Sequence, residues 1–148
     1  MQAEAKRSSK KEGSKSKVTT IRNVGEYEEL RNNGLVVVDF NTEWCNPCKK
    51  FAPVFEEMAE KYEGATFLSV NAEKIEHEDC QAIKSLPTFK IFLNGKLRRE
   101  FSGPDKQRLE EYIQRFQIQI HLNGKVQRSF TPEFQAVVKE YMKTYAAK

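Results

Sequence analysis

Residues 35–53 read LVVVDFNTEWCNPCKKFAP, and three signals meet in them. The first seven residues are nearly all apolar, which suits a central strand buried on both faces. From Cys48 onward, Phe51, Val54, Phe55, Met58, Ala59 and Tyr62 recur at intervals of three and four residues, the spacing of an amphipathic helix. Between strand and helix lie Cys45 and Cys48, two residues apart. Such a pair is a redox dithiol or half of a metal site. At a helix N-terminus the first sulfur meets unpaired amides and the positive end of the dipole, which favours thiolate. The second thiol, one turn on, can reach back to it. Pro47 fits the first turn, where no amide partner is lost, whereas Pro53 lies inside the helix and is expected to kink it.

Working outward, VTTIRNV (18–24) reads as a short strand and GEYEELRNN (25–33) as a short helix closed by Gly34. ATFLSVN (65–71) reads as a strand and HEDCQAI (77–83) as a short helix. TFKIFLNGKLRREF (88–101) reads as two strands around Asn94-Gly95, a strong hairpin signal. GPDKQRLEEYIQRFQ (103–117) reads as a helix. The order βαβαβαββα implies an α/β fold, a central mixed sheet flanked by helices on both faces.

The net charge of +4 belongs to a tail. Residues 1–17 carry six basic residues against Glu4 and Glu12, and the remainder of the chain is neutral. The tail contains no aromatic and no β-branched residue, so residues 1–18 are expected to be disordered. It is read as a solubilising arm rather than a nucleic-acid contact. No apolar run approaches the roughly 20 residues of a membrane span, and no membrane partner is expected. The N-terminus lacks the apolar core of a secretory signal. Three cysteines are too few for a disulfide scaffold and suit a reducing compartment. A cytoplasmic location is therefore expected, with nuclear or organellar targeting by the basic tail left open.

The motifs together are specific. VVVDFNTEWCNPCKKFAP strongly resembles the thioredoxin family's active-site strand, turn and helix, with its Trp-Cys-Gly-Pro-Cys-Lys motif. Trp44, Cys45, Pro47, Cys48 and Lys49 match, and Asn46 stands where the family has glycine. Asp39, six residues before Cys45, matches the family's buried aspartate, and Pro53 its helix-kinking proline. SLPTF resembles the segment carrying its cis-proline, here Pro87. LNGK and FSG match its later hairpin and the glycine that follows, Gly103. The resemblance covers roughly residues 19–117 and implies a thioredoxin fold there.

It also implies a protein-disulfide reductase that works by dithiol–disulfide exchange. Cys45 would be the nucleophile, Cys48 the resolving thiol, and Asp39 the group that takes the Cys48 proton. Trp44, Pro47, Leu86 and Pro87 would meet the substrate, with the Leu86 backbone free to pair with an extended strand. The implied partners are disulfide-containing proteins and an NADPH-dependent thioredoxin reductase that supplies electrons. No cofactor is expected on this chain, and the implied role is electron transport in cell redox homeostasis. Asn46, Asn41, Ser69 and Asn71 depart from the family pattern and bear on redox poise and on the proton path around Asp39.

Two features lie outside that scheme. Cys80 reads as an inert half-buried thiol or a regulatory one. A metal set of His77, Cys80, Cys45 and Cys48 is not expected, because only one Cys-x-x-Cys exists and Pro87 would occupy the approach. Residues 118–148 form an expected β/α extension. IFLNGKLRREF (91–101) is echoed by IHLNGKVQRSF (120–130), and nine of the 26 positions in 91–116 recur 29 residues later. This reads as a partial duplication, with a strand or turn at 118–129 and a helix at 132–145, unless a good turn and shared amphipathicity have simply recurred. The basic tail and this extension support an alternative function, a thioredoxin-fold adaptor docking through either segment.

Overall fold

The structure, a computed structural model, describes residues 16–122 of the 148. Nine elements follow one another in the expected order: β1 (Val18–Thr20), α1 (Val24–Arg31), β2 (Leu35–Asn41), α2 (Asn46–Lys61), β3 (Thr66–Asn71), α3 (Glu78–Gln81), β4 (Thr88–Leu93), β5 (Lys96–Ser102) and α4 (Lys106–Leu122). They build one five-stranded sheet in the order β1-β3-β2-β4-β5. β3 pairs in parallel with both β1 and β2, whereas β4 runs antiparallel to β2 and to β5. The sheet is mixed, as the sequence implies.

β2 lies at the centre because it is the strand with apolar residues for both faces. Successive side chains alternate, so Leu35 and Val37 join one core while Val36, Val38 and Phe40 join the other. The first core is filled by α2 and α4 through Phe51, Phe55, Met58, Leu109, Ile113 and Phe116. The second holds Tyr27 of α1, Val70 of β3 and Cys80 of α3. The same alternation sends Asp39 towards the α2 side, a constraint that matters below.

Local signals close the elements. The Asn23 side-chain Oδ1 accepts from the Glu26 amide at 2.9 Å and caps α1. Asn94 and Gly95 both have positive φ, 52° and 86°, the backbone a tight primed hairpin turn requires. A side chain at Gly95 would also collide with Asn32, whose Oδ1 lies 2.7 Å from the position a Cβ would take. Tyr62 and Lys61, at the end of α2, both donate to Glu110 of α4 at 2.7 Å. On the other face Tyr27 and Arg31 of α1 converge on Asp79 of α3, at 2.7 and 2.8 Å. That pair of bonds fixes the short α3, which supplies one wall of the site.

Two boundaries differ from the reading of the sequence. β1 starts at Val18, where the sequence reading starts it, but ends at Thr20 rather than Val24, and Val24 opens α1. Residues 118–122 continue α4 rather than forming a strand or turn. The reason is periodicity: Leu109, Ile113, Phe116 and Ile120 keep helical spacing on the core, Ile118 is buried as well, and no breaker intervenes. His121 is exposed at the end of that helix. The rest of the expected tail, the extension and the helix at 132–145 lie outside the described residues.

Phe55 packs edge-on against Phe67, 5.2 Å between ring centres, and lies 5.9 Å from Phe89. Phe55→Ala is expected to cost roughly 3–5 kcal/mol of unfolding free energy in urea titration, by lost transfer and a residual cavity. Leu97→Ala, on the exposed side of β5, is expected to stay within about 0.5 kcal/mol of wild type.

Candidate active site

The turn from β2 into α2 carries the site. Cys45 is the N-cap of α2, with extended backbone, and its Sγ accepts the Cys48 amide at 3.2 Å. Asn46 and Pro47 fill the first turn and are exposed. Cys48 lies one turn into the helix. The two cysteines are joined as a disulfide, their Cα atoms 5.3 Å apart. Both sulfur-bearing residues are buried, with Cys45 on the wall of a surface groove. On reduction, negative charge at Cys45 Sγ would keep an amide donor and the positive end of α2.

Cys80 has the opposite environment. It is buried in α3, and burial, reinforced by the nearby Asp79 charge, pushes its thiol up to about 11. At neutral pH it is a protonated thiol. The half-buried position expected for it is in fact a buried one. His77 does not turn towards the cysteines: its Nδ1 accepts the Asp79 amide at 3.0 Å and caps α3. Among the described residues no three His, Cys, Asp or Glu side chains converge to hold a metal ion.

Asp39 lies behind the pair, only 4% exposed, and its Oδ1 has no hydrogen-bond partner among the described residues. Burial pushes its carboxyl up to about 7, and the neighbouring Asn41 amide opposes this weakly. Asp39 and Cys48 line one cleft of about 260 Å³, whose other walls include Thr42, Asn41 and Ser69. Asn41 Nδ2 donates to Ser69 Oγ at 3.0 Å, so two of the residues that depart from the family pattern form one polar edge of this cleft.

A second groove, about 530 Å³, opens on the other side of the turn. Trp44, Cys45, Pro47 and Leu86, expected to meet substrate, all line it. The Leu86–Pro87 peptide is cis, and Pro87 itself is buried, its carbonyl accepting the Gly103 amide at 2.8 Å. Trp44 is 65% exposed yet held: its indole N–H donates to Glu73 Oε2 at 2.9 Å. Glu73 is fixed in turn by its amide, which donates to Asn71 Oδ1 at 2.9 Å. Glu73, Thr42 and Lys84 are site residues that reading the sequence misses. Each joins the site through a loop or strand distant in sequence, or through an ordinary residue type, and no local motif marks them.

A family model named Thioredoxin matches residues 17–115. The chain belongs to the thioredoxin family. It is 37% identical over 101 residues to thioredoxin of Gallus gallus, covering 66% of this chain and 96% of that one. It is 38% identical over 106 residues to thioredoxin of Equus caballus, with the same coverage. Among solved structures, Schistosoma mansoni thioredoxin superposes with a TM-score of 0.62 at 38% identity, over 70% of this chain and 99% of that one. Plasmodium falciparum thioredoxin does so with a TM-score of 0.62 at 32% identity, over 66% and 98%. The family and the paired sulfurs make this chain a thiol–disulfide oxidoreductase, which is the class of enzyme the motif implies.

The raised Asp39 carboxyl has a consequence for stability. Between about pH 4 and pH 7 the unfolded chain has lost this proton and the folded chain keeps it, so unfolding free energy falls as pH rises. The penalty is absent at lower pH and complete above the folded value. Asp39→Asn is expected to stabilise the oxidised protein by roughly 2–4 kcal/mol at pH 8 and by little at pH 4. Urea titrations across that range check it: the mutant loses the wild-type slope.

Proposed function

We propose that the protein reduces disulfides in other proteins, with Cys45 as nucleophile and Cys48 as resolving thiol. The observation that carries this reading is the N-cap hydrogen bond. Of the pair, Cys45 Sγ is the atom that accepts an amide at the helix start, and it is the one that borders the groove. Cys48 borders the cleft with Asp39 instead.

Cys45 thiolate attacks one sulfur of a docked disulfide. The Cys45–substrate bond forms, the substrate disulfide breaks, and the departing sulfur leaves with the electron pair and takes a proton. Cys48 then gives its proton to Asp39, whose raised affinity matches a base working near neutral pH. Cys48 Sγ attacks Cys45 Sγ, the second substrate sulfur leaves as thiolate, and the Cys45–Cys48 disulfide remains. Trp44 offers an exposed flat face beside the nucleophile, held by Glu73, and Leu86 lines the same groove. Electrons return from an NADPH-dependent thioredoxin reductase, which suits a role in cell redox homeostasis. A purely adaptor role would need none of this arrangement, and the joined sulfurs favour exchange.

Reduction of insulin disulfides, with dithiothreitol or with NADPH and a thioredoxin reductase, tests the proposal. Wild type is expected to accelerate the reaction and Cys45→Ser to fall to background. Cys48→Ser is expected to accumulate a covalent complex with substrate through Cys45, visible by mass and released by dithiothreitol. A wild-type rate equal to background sinks the reading.

A further inference from the structure

The substrate groove is apolar over much of its wall, through Trp44, Pro47, Ala72, Ile83 and Leu86. Two charged side chains line it, Glu73 and Lys84. They differ in occupation. Glu73 Oε2 already accepts the Trp44 indole N–H at 2.9 Å. Next to Glu73 in the chain, Lys74 is paired with Glu43 at 2.8 Å. Lys84 is exposed and has no ion-pair or hydrogen-bond partner among the described residues. Its flanks, by contrast, are held. The Ala82 and Ile83 amides donate to the Glu78 and Cys80 carbonyls at 3.1 and 3.2 Å, and Thr88 Oγ1 donates to the Ser85 carbonyl at 2.7 Å. An unpaired lysine on a surface is ordinarily a solvated cation. What sets Lys84 apart is that a docked substrate covers the wall it lines, which is also the wall of the nucleophile.

We propose that Lys84 is a specificity-determining residue, an ammonium that pairs with an acidic side chain beside the disulfide cysteine of the substrate. The proposal rests on the reductase reading and deepens it by naming a substrate class, disulfides flanked by aspartate or glutamate. Attack by Cys45 leaves a substrate cysteine bonded to Cys45 Sγ, so the residues beside that cysteine enter the groove that Cys45 borders. Lys84 is two residues from Leu86, at most about 7 Å of extended chain. Its stem has four flexible carbons, so a carboxylate within two residues of the substrate cysteine comes within reach of Nζ.

The charges of the groove wall balance, one carboxylate against one ammonium. Selection therefore follows from where a substrate charge sits rather than from net attraction. An acidic neighbour of the cysteine meets a cation that has no other partner. A basic neighbour meets like charge at Lys84, and the carboxylate that could receive it is engaged with Trp44. Lys84 stays at the rim of the complex, so the discrimination is that of a surface ion pair and weakens with salt.

The test uses full-length reduced protein in excess over three peptides. Each peptide has one cysteine joined to thionitrobenzoate, flanked by two residues on either side that are all glutamate, all glutamine or all lysine. Cys45 thiolate attacks the peptide sulfur, the Cys45–peptide disulfide forms, and thionitrobenzoate, the better leaving group, departs with the electron pair and is read by absorbance. Wild type is expected to react about two- to fivefold faster with the glutamate peptide than with the glutamine peptide, and slowest with the lysine peptide. The glutamate-to-lysine rate ratio is the readout. Lys84→Arg is expected to keep it. Lys84→Ala is expected to bring it to one or below, since Glu73 then remains, and Lys84→Glu to invert it. Salt at about 1 M, where the Debye length is about 3 Å, is expected to collapse the wild-type ratio. Lys50→Glu makes the same change of net charge at an exposed position of α2 outside the groove, and is expected to leave the ratio near that of wild type. A wild-type ratio of one overturns the proposal. So does a wild-type ratio in Lys84→Ala, or a shift in Lys50→Glu as large as that in Lys84→Glu, because net charge would then be the cause. If wild type releases thionitrobenzoate from no peptide faster than buffer does, the reductase reading fails instead, which separates the two claims.

Discussion

The site depends on one constraint: a strand buried on both faces must end at the start of a helix whose first amides are free. β2 is apolar on each side, so it can lie only in the middle of the sheet. Alternation then dictates that Asp39, two residues on from Val37, joins the α2 side. The chain has four residues, 42–45, in which to leave the strand and enter α2, and Cys45 becomes the N-cap because the turn closes on Thr42. Nucleophile and buried carboxyl are thus separated by the helix's first turn, one on each side of it.

That arrangement makes three thiols unequal with little more than burial and backbone. Cys45 receives an amide at a helix start, Cys48 faces a cleft with a carboxyl, and Cys80 is buried where ionisation is disfavoured. The same physical cost, removal from water, acts on Cys80 and on Asp39 with different results. It silences the thiol, which has no use for a higher affinity. It brings the carboxyl to about 7, where gaining and losing a proton are both easy. The instability that an ionised Asp39 brings to the folded state is the counterpart of that usefulness.

The order of elements was legible in the sequence because each has a distinct period and ends at Gly, Asn or Pro. Cys45, Cys48 and Asp39 were legible because a helix start and a strand alternation place them without reference to the rest of the chain. The end of α4 was not. LNGK at 122–125 is a good turn, and its likeness to 93–96 drew a strand or turn over residues that the core keeps helical through Ile118 and Ile120. Packing overrode a local signal there. Glu73 was not legible for a different reason: it reaches Trp44 across 29 residues of sequence, and an acidic residue after a strand is ordinary. Thr42 hides in the same way, as a β-branched residue just past a strand, where threonine excites no notice.

Asn41, Ser69 and Asp39 also belong to one physical account. A family member with an aromatic side chain at the position of Asn41 would fill the space beside Asp39 with carbon. Here Asn41 is bonded to Ser69 and leaves a polar cleft open against Cys48. A polar cleft admits water, and water beside a buried carboxyl lowers the cost of ionising it. Changing Asn41 to a bulky apolar residue would close that space and raise the cost of ionising Asp39 further, so the two positions are coupled through the cleft.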